Sequence, residues 1–249
     1  MKYLFIFLLL MLPGLVLGQR NVTRSIETRA GQQVEMTFAY PEQINIEVWE
    51  QETVEIAATV SINMGENDDA FQINVNDSGN ILAVSTEISG KEELPERIVI
   101  RHGGQDHYFK TGDWSHPDVQ AFLNEHGREN IQWMSHGPVM DIAIKIFVPG
   151  NIDLSVTSKF GLIEMKGVPR SLTINSKHGG LDLAVPPSTG YDFSIDCDWG
   201  EVYTNLDLEM EPTEHGKALK AEKIEAKLNG GGNPVHLISK HGNVYLRAL

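Results

Sequence analysis

A four-residue pattern recurs in the C-terminal third of the chain and constrains the fold more than any other feature. Its copies are Ser158-Lys159-Phe160-Gly161, Ser176-Lys177-His178-Gly179, Cys197-Asp198-Trp199-Gly200 and Ser239-Lys240-His241-Gly242. The first three glycines are spaced by 18 and then 21 residues. That interval is typical of proteins built from stacked β-repeats.

Apolar residues alternate on both sides of each pattern. Five and seven residues before the glycines lie Val156 and Leu154, Ile174 and Leu172, Ile195 and Phe193, and Leu237 and Val235. Two and four residues after them lie Ile163 and Met165, Leu181 and Leu183, Val202 and Thr204, and Val244 and Leu246. A weaker copy is centred on Gly231.

The buried set therefore changes from odd to even offsets at each glycine. A continuous strand cannot make that change, because a one-residue slip moves all its apolar side chains to the other face. The pattern predicts structural corner glycines with positive φ at Gly161, Gly179, Gly200, Gly231 and Gly242. Each repeat is then a strand, a corner and a strand, and stacked repeats bury one continuous core.

The upstream region also alternates with a period of two, which indicates strands with one buried face. Residues 19–40, with Ile26, Val34, Met36 and Phe38, predict one entry strand, and further strands cover 44–48 and 54–56 on either side of a turn at 50–53. Residues 71–75 and 82–84 flank a turn at Asn76-Asp77-Ser78-Gly79-Asn80 and predict a hairpin. We therefore expect an all-β fold, with residues 19–249 as a single β-repeat domain.

Residues 101–138 interrupt this pattern, and we expect an insertion or long loop there. Asp118–His126 is a candidate short helix, capped by Ser115 or Asp118. The segment also contains His102, His107, His116, His126 and His136. Their spacing matches no known zinc motif, so we predict neither a metal site nor a cofactor.

The N-terminus predicts export. Residues 1–18 contain Lys2, an apolar run and small residues before Gln19, as in a cleaved secretory signal peptide. The run is short for a membrane-spanning helix, so an uncleaved anchor is the less favoured alternative. The mature chain is expected outside the cytoplasm, in the periplasm or at the cell surface, without a transmembrane span.

Charge and cysteine content narrow the function. The formal net charge is −14, which argues against nucleic-acid binding and indicates either a polycationic or neutral partner or a surface that only keeps the chain soluble. Cys197 is the single cysteine, so no intramolecular disulfide can form. It occupies the position that serine holds in the other three patterns, and we expect a buried, unreactive thiol.

The Ser-Lys-x-Gly and Asp-Trp-Gly corners, each followed by alternating aliphatic residues, resemble the "putative adhesin" family of exported bacterial β-strand-repeat proteins. The C-terminal copy, 239–247, is the most typical of them. The resemblance covers most of the chain outside 101–138. It implies a right-handed β-solenoid or stacked-sheet architecture and a location in the cell envelope, and it implies no defined activity.

Two groups of side chains are candidates for function. Phe160, His178, Trp199 and His241 each precede a corner glycine and should stack at one edge of the repeats; we call them the ring column. A structural ladder is the favoured interpretation of the ring column, and a surface for sugar rings or a protein partner is the alternative. The second group is the acidic cluster of Asp192, Asp196, Asp198 and Glu201, which a solvated sheet face explains better than acid–base catalysis.

These observations favour a non-catalytic, exported envelope protein with an interaction or adhesin-like role, whose partner is an envelope protein or a glycan. One alternative is a carbohydrate-active enzyme that uses the acidic cluster. Another is an envelope-stress accessory protein that acts through a second envelope protein. The oligomeric state stays open.

Overall fold

The computed structural model describes residues 19–210 and 222–249. The predicted signal peptide, residues 1–18, lies outside the described residues. The strands are β1 (Arg20–Glu27), β2 (Gln33–Phe38), β3 (Gln43–Trp49), β4 (Thr53–Ile62), β5 (Phe71–Asp77), β6 (Ile81–Ile88), β7 (Arg97–His102), β8 (Gln105–Phe109), β9 (Ile131–Gly137), β10 (Met140–Pro149), β11 (Asp153–Phe160), β12 (Leu162–Lys166), β13 (Ser171–His178), β14 (Leu181–Val185), β15 (Tyr191–Cys197), β16 (Val202–Thr204), β17 (Glu209–Met210), β18 (Glu222–Leu228), β19 (Asn233–Ser239) and β20 (Val244–Ala248). The described helices are α1 (Pro117–His126) and the 3₁₀ turns Asp68–Ala70, Lys91–Glu93 and Arg128–Asn130.

The described strands form three sheets, which confirms the prediction of an all-β fold. Sheet I has the order β1-β4-β10-β3-β12-β14-β20-β16, sheet II the order β17-β18-β15-β19-β13-β11-β2-β6-β5, and sheet III the order β8-β7-β9. The neighbours from β10 to β16 in sheet I and from β15 to β6 in sheet II pair in parallel. Antiparallel strands flank both parallel regions.

The repeats pass back and forth between sheets I and II. Strands β11, β13, β15 and β19 precede the four patterns and lie in sheet II, whereas β12, β14, β16 and β20 follow them and lie in sheet I. The pair β2 and β3 extends the same arrangement upstream. The spatial order differs from the chain order, because β19 and β20 lie between the second and third repeats.

The apolar residues align across the strands and form one core between sheets I and II. In sheet II, Leu154 pairs in register with Leu172, and Leu172 with Val235. In sheet I, Ile163 is level with Leu181, which is level with Val244. The buried side chains are 154, 156 and 158 before Gly161 and 163 and 165 after it, so the predicted change of parity is confirmed.

The upstream predictions hold in part. The hairpin over 71–84 is confirmed by the antiparallel pair β5 and β6. The first strand is in fact two strands, β1 and β2, in different sheets. Strands β3 and β4 do not pair with each other, because β10 lies between them.

The interruption at 101–138 is more ordered than a long loop. Sheet III and helix α1 enclose a second small core of Ile98, Ile100, Val119 and Leu123. The helix is capped by His116, whose Nδ1 accepts a hydrogen bond of 3.3 Å from the backbone N–H of Asp118. The predicted caps Ser115 and Asp118 are therefore wrong, since Pro117 already occupies the first helical position. Across 19–210 and 222–249, no helix is both long and apolar enough to span a membrane.

Candidate functional site

The corners between sheets II and I are built by the small residue that opens each pattern. Ser158 Oγ donates to the carbonyl of Phe160 at 2.6 Å, Ser176 Oγ to that of Gly179 at 2.9 Å, and Ser239 Oγ to that of Gly242 at 2.6 Å. All three serines are buried. A buried carbonyl without a partner is costly, so these hydroxyl groups stabilise the corners.

Cys197 holds the equivalent place in the third pattern. It is buried, pairs in register with Ser239, and its Sγ donates to the carbonyl of Gly242 at 3.5 Å. This placement agrees with the inward position expected from the sequence. A buried thiol in a hydrogen bond behaves as a weak substitute for the serine hydroxyl.

The glycines of the patterns stack on one another. A Cβ on Gly179 would overlap the carbonyl oxygen of Gly161, one on Gly242 that of Gly179, and one on Gly200 that of Gly242. Positive φ is found at Gly161 (84°) among these four. The expectation of positive φ is therefore wrong for Gly179, Gly200 and Gly242, where close approach of the next backbone requires glycine.

Gly231 lies in a different kind of turn. It has the expected positive φ of 92°, but it follows β18 and precedes β19, which belong to the same sheet with β15 between them. Its carbonyl oxygen lies where a Cβ on Gly190 would be placed. Gly231 thus belongs to the turns at the opposite end of sheet II from the four patterns.

The structure brings the ring column together. Phe160 and His178 have ring centroids 5.3 Å apart, His178 and His241 5.0 Å, and His241 and Trp199 6.4 Å, with planes inclined by 22°, 1° and 25°. Tyr40 stacks on the outer side of Phe160 at 6.2 Å. Since the faces of these rings meet one another, the column directs ring edges toward solvent.

Tyr40 was not found from the sequence. Phe38 pairs in register with Ser158, so Tyr40 is level with Phe160 and Pro41 is level with Gly161. This corner lacks both the serine and the glycine that define the pattern. An aromatic residue two positions beyond the last inward residue of a strand is the signal that would have identified it.

A row of lysines runs beside the ring column. Lys159, Lys177 and Lys240 each follow a buried serine, and those serines are paired in register across β11, β13 and β19. The ammonium group of Lys159 lies 5.3 Å from the Phe160 centroid. None of these three lysines forms an ion pair with a carboxylate of the described residues. We call Lys159, Lys177 and Lys240 the lysine row.

His178 lies within the field of these charges. Loss of solvent lowers the pKa of its imidazole below the usual value of 6.5, and the positive charges of His241, Lys177, Lys159 and Lys240 lower it further. Three lysines and His241 therefore lie close enough to His178 to act on its charge. A cation on His178 is disfavoured by both causes.

The histidines of 101–138 do not converge on a metal site. The rings of His102 and His126 lie 4.3 Å apart, and His107 packs against Phe122 at 4.6 Å. His116 caps the helix, and His136 lies 3.0 Å from the carbonyl of Gly112. Within the described ranges, no group of three His, Cys, Asp or Glu residues is arranged to hold a metal ion.

The acidic cluster is divided between two sheets. Asp192 and Asp196 lie on β15 of sheet II, level with Lys227 and Lys223 of β18. Asp192 also accepts a hydrogen bond of 3.1 Å from the backbone N–H of Gly232. Asp198 lies before the corner at Gly200 and Glu201 after it, where Glu201 accepts from the hydroxyl of Tyr203. The side chains therefore take several separate structural roles.

A cleft lies between sheet III and the main sheets. It has a volume of about 350 Å³ and includes Glu42, Arg101, Asp106, Tyr108 and Trp133. Arg101 forms two hydrogen bonds with Asp106, at 2.6 and 2.7 Å, and its guanidinium lies 5.8 Å from the Trp133 centroid. These aromatic and charged groups form a second exposed surface, which no pattern in the sequence indicates.

No protein-family profile matches the chain, and no curated protein matches it in sequence. The chain is similar to the crystal structure of a "putative cell adhesion protein" from Clostridium sporogenes, with 12% identity, a TM-score of 0.48, and coverage of 93% of this chain and 100% of that one. A "putative adhesin" from Parabacteroides merdae is 12% identical, with a TM-score of 0.25 and coverage of 74% and 60%. A second, from Bacteroides fragilis, is 11% identical, with a TM-score of 0.22 and coverage of 93% and 98%.

Proposed function

We propose that the protein is a non-catalytic, exported interaction module of adhesin type, which presents the ring column to a glycan or protein of the cell envelope. The observation that carries this proposal is the continuous stack of rings at the corners of successive strands. Phe160 and Trp199 remain 38% and 58% exposed within it. A ladder serving stability alone would gain more from burying these rings.

The architecture proposed for this module is a right-handed β-solenoid. Successive repeats alternate between two parallel sheets and share one core. Crossovers between parallel strands are right-handed in nearly all proteins. Such a coil suits an interaction role, because each added repeat extends the same surface by one strand.

A carbohydrate-active enzyme is supported less well. Acid–base cleavage of a glycosidic bond needs two carboxyl groups on either side of one bond. Asp192 and Asp196 face lysines of the neighbouring strand, and Glu201 lies beyond the corner. The proposed function therefore includes no catalytic residue, metal or cofactor.

The proposal is tested by binding and turnover on the same samples. The full chain is screened against a glycan panel and an envelope fraction. The double variant Phe160→Ala/Trp199→Ala is screened in the same way. The control is Trp133→Ala, which removes an exposed ring outside the column. We expect binding without release of reducing ends, weakened at least tenfold in the double variant only. Circular dichroism verifies that each variant is folded.

Two results would overturn the proposal. The first is equal binding by the wild-type protein and the double variant. The second is turnover of a polysaccharide that disappears in Asp198→Ala, which would favour the enzyme instead.

A further inference from the structure

No carboxylate of the described residues forms an ion pair with the lysine row, although Lys159 lies over the rings of Phe160 and Tyr40. Lysines level with one another on adjacent strands repel, and like charges in such positions destabilise a sheet. Several other cations are paired with carboxylates: Arg247 lies 2.6 Å from Asp182, and Arg97 lies 2.7 Å from Glu66. On β15 the corresponding position is Asp198, which is level with Lys240 because Cys197 pairs in register with Ser239. The uninterrupted positive part of the row therefore runs from Lys159 through Lys177 and ends at Lys240.

The ring column adds to the positive character of this edge. Aromatic rings have negative faces and positive edges. Here the faces are covered by neighbouring rings, from Tyr40 through Phe160 and His178 to His241, so the edges are what solvent meets. The lysine row and the ring column run side by side, one residue apart in sequence, and form a single electropositive strip.

We propose that this strip binds a linear anionic polysaccharide that runs across the strands, with its acidic groups beside Lys159, Lys177 and Lys240. This inference rests on the proposed function and specifies its ligand class. It departs from the expectation of a neutral or polycationic partner, which net charge alone suggested. Net charge averages over the whole surface, whereas a ligand meets the local field.

The spacing of the row favours a glycan over a peptide. Adjacent strands are about 4.8 Å apart, so the lysines repeat at about that distance. Alternate residues of an extended peptide point to one side and repeat at about 6.7 Å, which is out of step with the row. An acidic glycan carries carboxylates along its whole length, so a chain that lies along the row can bring several of them near the three lysines.

Nucleic acid fits the strip poorly. Its affinity comes from many phosphate contacts made at once. Three lysines on an otherwise acidic protein supply few of them, and the remaining surface repels a long polyanion. Because the surface around the strip is acidic, we expect only a short segment of an anionic polysaccharide to bind. The affinity should fall as the salt concentration rises, since salt screens the attraction to the lysines.

The test uses the full chain and isothermal titration calorimetry at low salt. The probes are oligogalacturonate, a neutral galactan oligosaccharide of the same length, poly-glutamate and a single-stranded oligonucleotide. The variant is Lys177→Gln/Lys240→Gln, and the matched control is Lys166→Gln, an exposed lysine on the outer face of sheet I. Because all three lysines are exposed, the variants should fold as the wild-type protein does.

We expect oligogalacturonate to bind more tightly than the other three probes, with at least a tenfold loss in Lys177→Gln/Lys240→Gln and no change in Lys166→Gln. Equal binding of the neutral and acidic sugars, unaffected by the double variant, would overturn this inference and leave the proposed function standing. Tighter binding of poly-glutamate or the oligonucleotide would overturn the polysaccharide assignment. If no probe bound, this inference would fail, and the envelope-fraction screen would then decide the proposed function separately.

Discussion

The rings of His178 and His241 lie parallel to within 1°, with centroids 5.0 Å apart, although they belong to the second and the last repeat of the chain. They meet because the last repeat lies inside the stack. Strand β20 pairs with β14 on one side and β16 on the other. The chain therefore completes its core only when its final residues are in place.

This placement predicts that the protein tolerates no C-terminal truncation into β20. Val244 and Leu246 are fully buried, and each contributes about 1.5–3 kcal/mol to the free energy of folding. A chain ending at Asn243 would also leave β16 without its partner, and a typical domain is stable by only about 5–15 kcal/mol. We expect no cooperative unfolding transition for that chain in urea.

The control is a chain ending at Ala248, which lacks only the exposed Leu249. Its free energy of unfolding, measured in urea, should lie within about 0.5 kcal/mol of the wild-type value. Cooperative unfolding of the shorter chain at a near-normal midpoint would contradict the internal position of the last repeat.

The glycines of the corners predict a second outcome. In Gly179→Val the side chain would meet the backbone of Gly161, which cannot move without separating the strands. We expect a loss of about 3 kcal/mol or more. Lys177→Ala, on an exposed side chain two residues earlier, should change stability by less than about 0.5 kcal/mol. Equal small effects in urea unfolding would count against the stacked corners.

A comparison with Gly79 distinguishes two reasons why a position requires glycine: close approach of a neighbouring backbone and a positive φ. Gly79 has φ of 89°, and a Cβ placed on it would meet nothing within 4 Å. Gly79→Ala should cost about 1–2 kcal/mol, because it forces a left-handed conformation on alanine. Gly179→Ala has an ordinary φ and should cost more than Gly79→Ala. The reverse order would mean that conformation matters more than packing at the corners.

The repeats and their inward residues could be predicted from the sequence, but the spatial order of the repeats could not. Period-two alternation identifies Leu154, Leu172 and Val235 as inward residues, because burial of one face acts directly on residue type. The order of repeats is not encoded in that way. Any of the patterns offers the same apolar column to its neighbours, so nothing local shows that Val235 pairs with Leu172.

The ring column was also predicted only in part from the sequence. Its four predicted members follow from the pattern, but Tyr40 was missed since its corner carries Phe38 and Pro41 instead of serine and glycine. Each Ser-Lys-x-Gly copy of the pattern contains one lysine of the lysine row. Its meaning depends on register, which places the three ammonium groups side by side on β11, β13 and β19.

The buried serines predict a fourth outcome. In Ser176→Ala, the carbonyl of Gly179 loses its donor inside the corner. The cost of an unsatisfied buried acceptor is about 1–3 kcal/mol. Cys197→Ser, by contrast, installs the residue found in the other patterns and should change stability by less than about 1 kcal/mol. Urea midpoints of the two variants check both values.

Thiol labelling provides an independent measurement for the same corner. Cys197 is 1% exposed, so an aromatic disulfide reagent should react with the native protein only as it unfolds. Addition of urea above the midpoint should make labelling rapid. Fast stoichiometric labelling without denaturant would show that the thiol is accessible and that the corner is wrongly placed.

Acidification should destabilise the protein through His178. Its pKa is lowered in the folded state by loss of solvent and then by His241 and the lysine row, so the unfolded chain binds the proton more readily. Stability from this source is complete above the usual pKa of 6.5 and is lost as the pH falls below it. His178→Phe, which copies the ring of Phe160, should remove this contribution. We expect the drop in urea midpoint between pH 7.5 and pH 5.0 to be smaller in that variant, while His236→Gln, on the exposed face of β19, retains the wild-type drop. An identical drop in all three proteins would mean that His178 does not sense the charges around it.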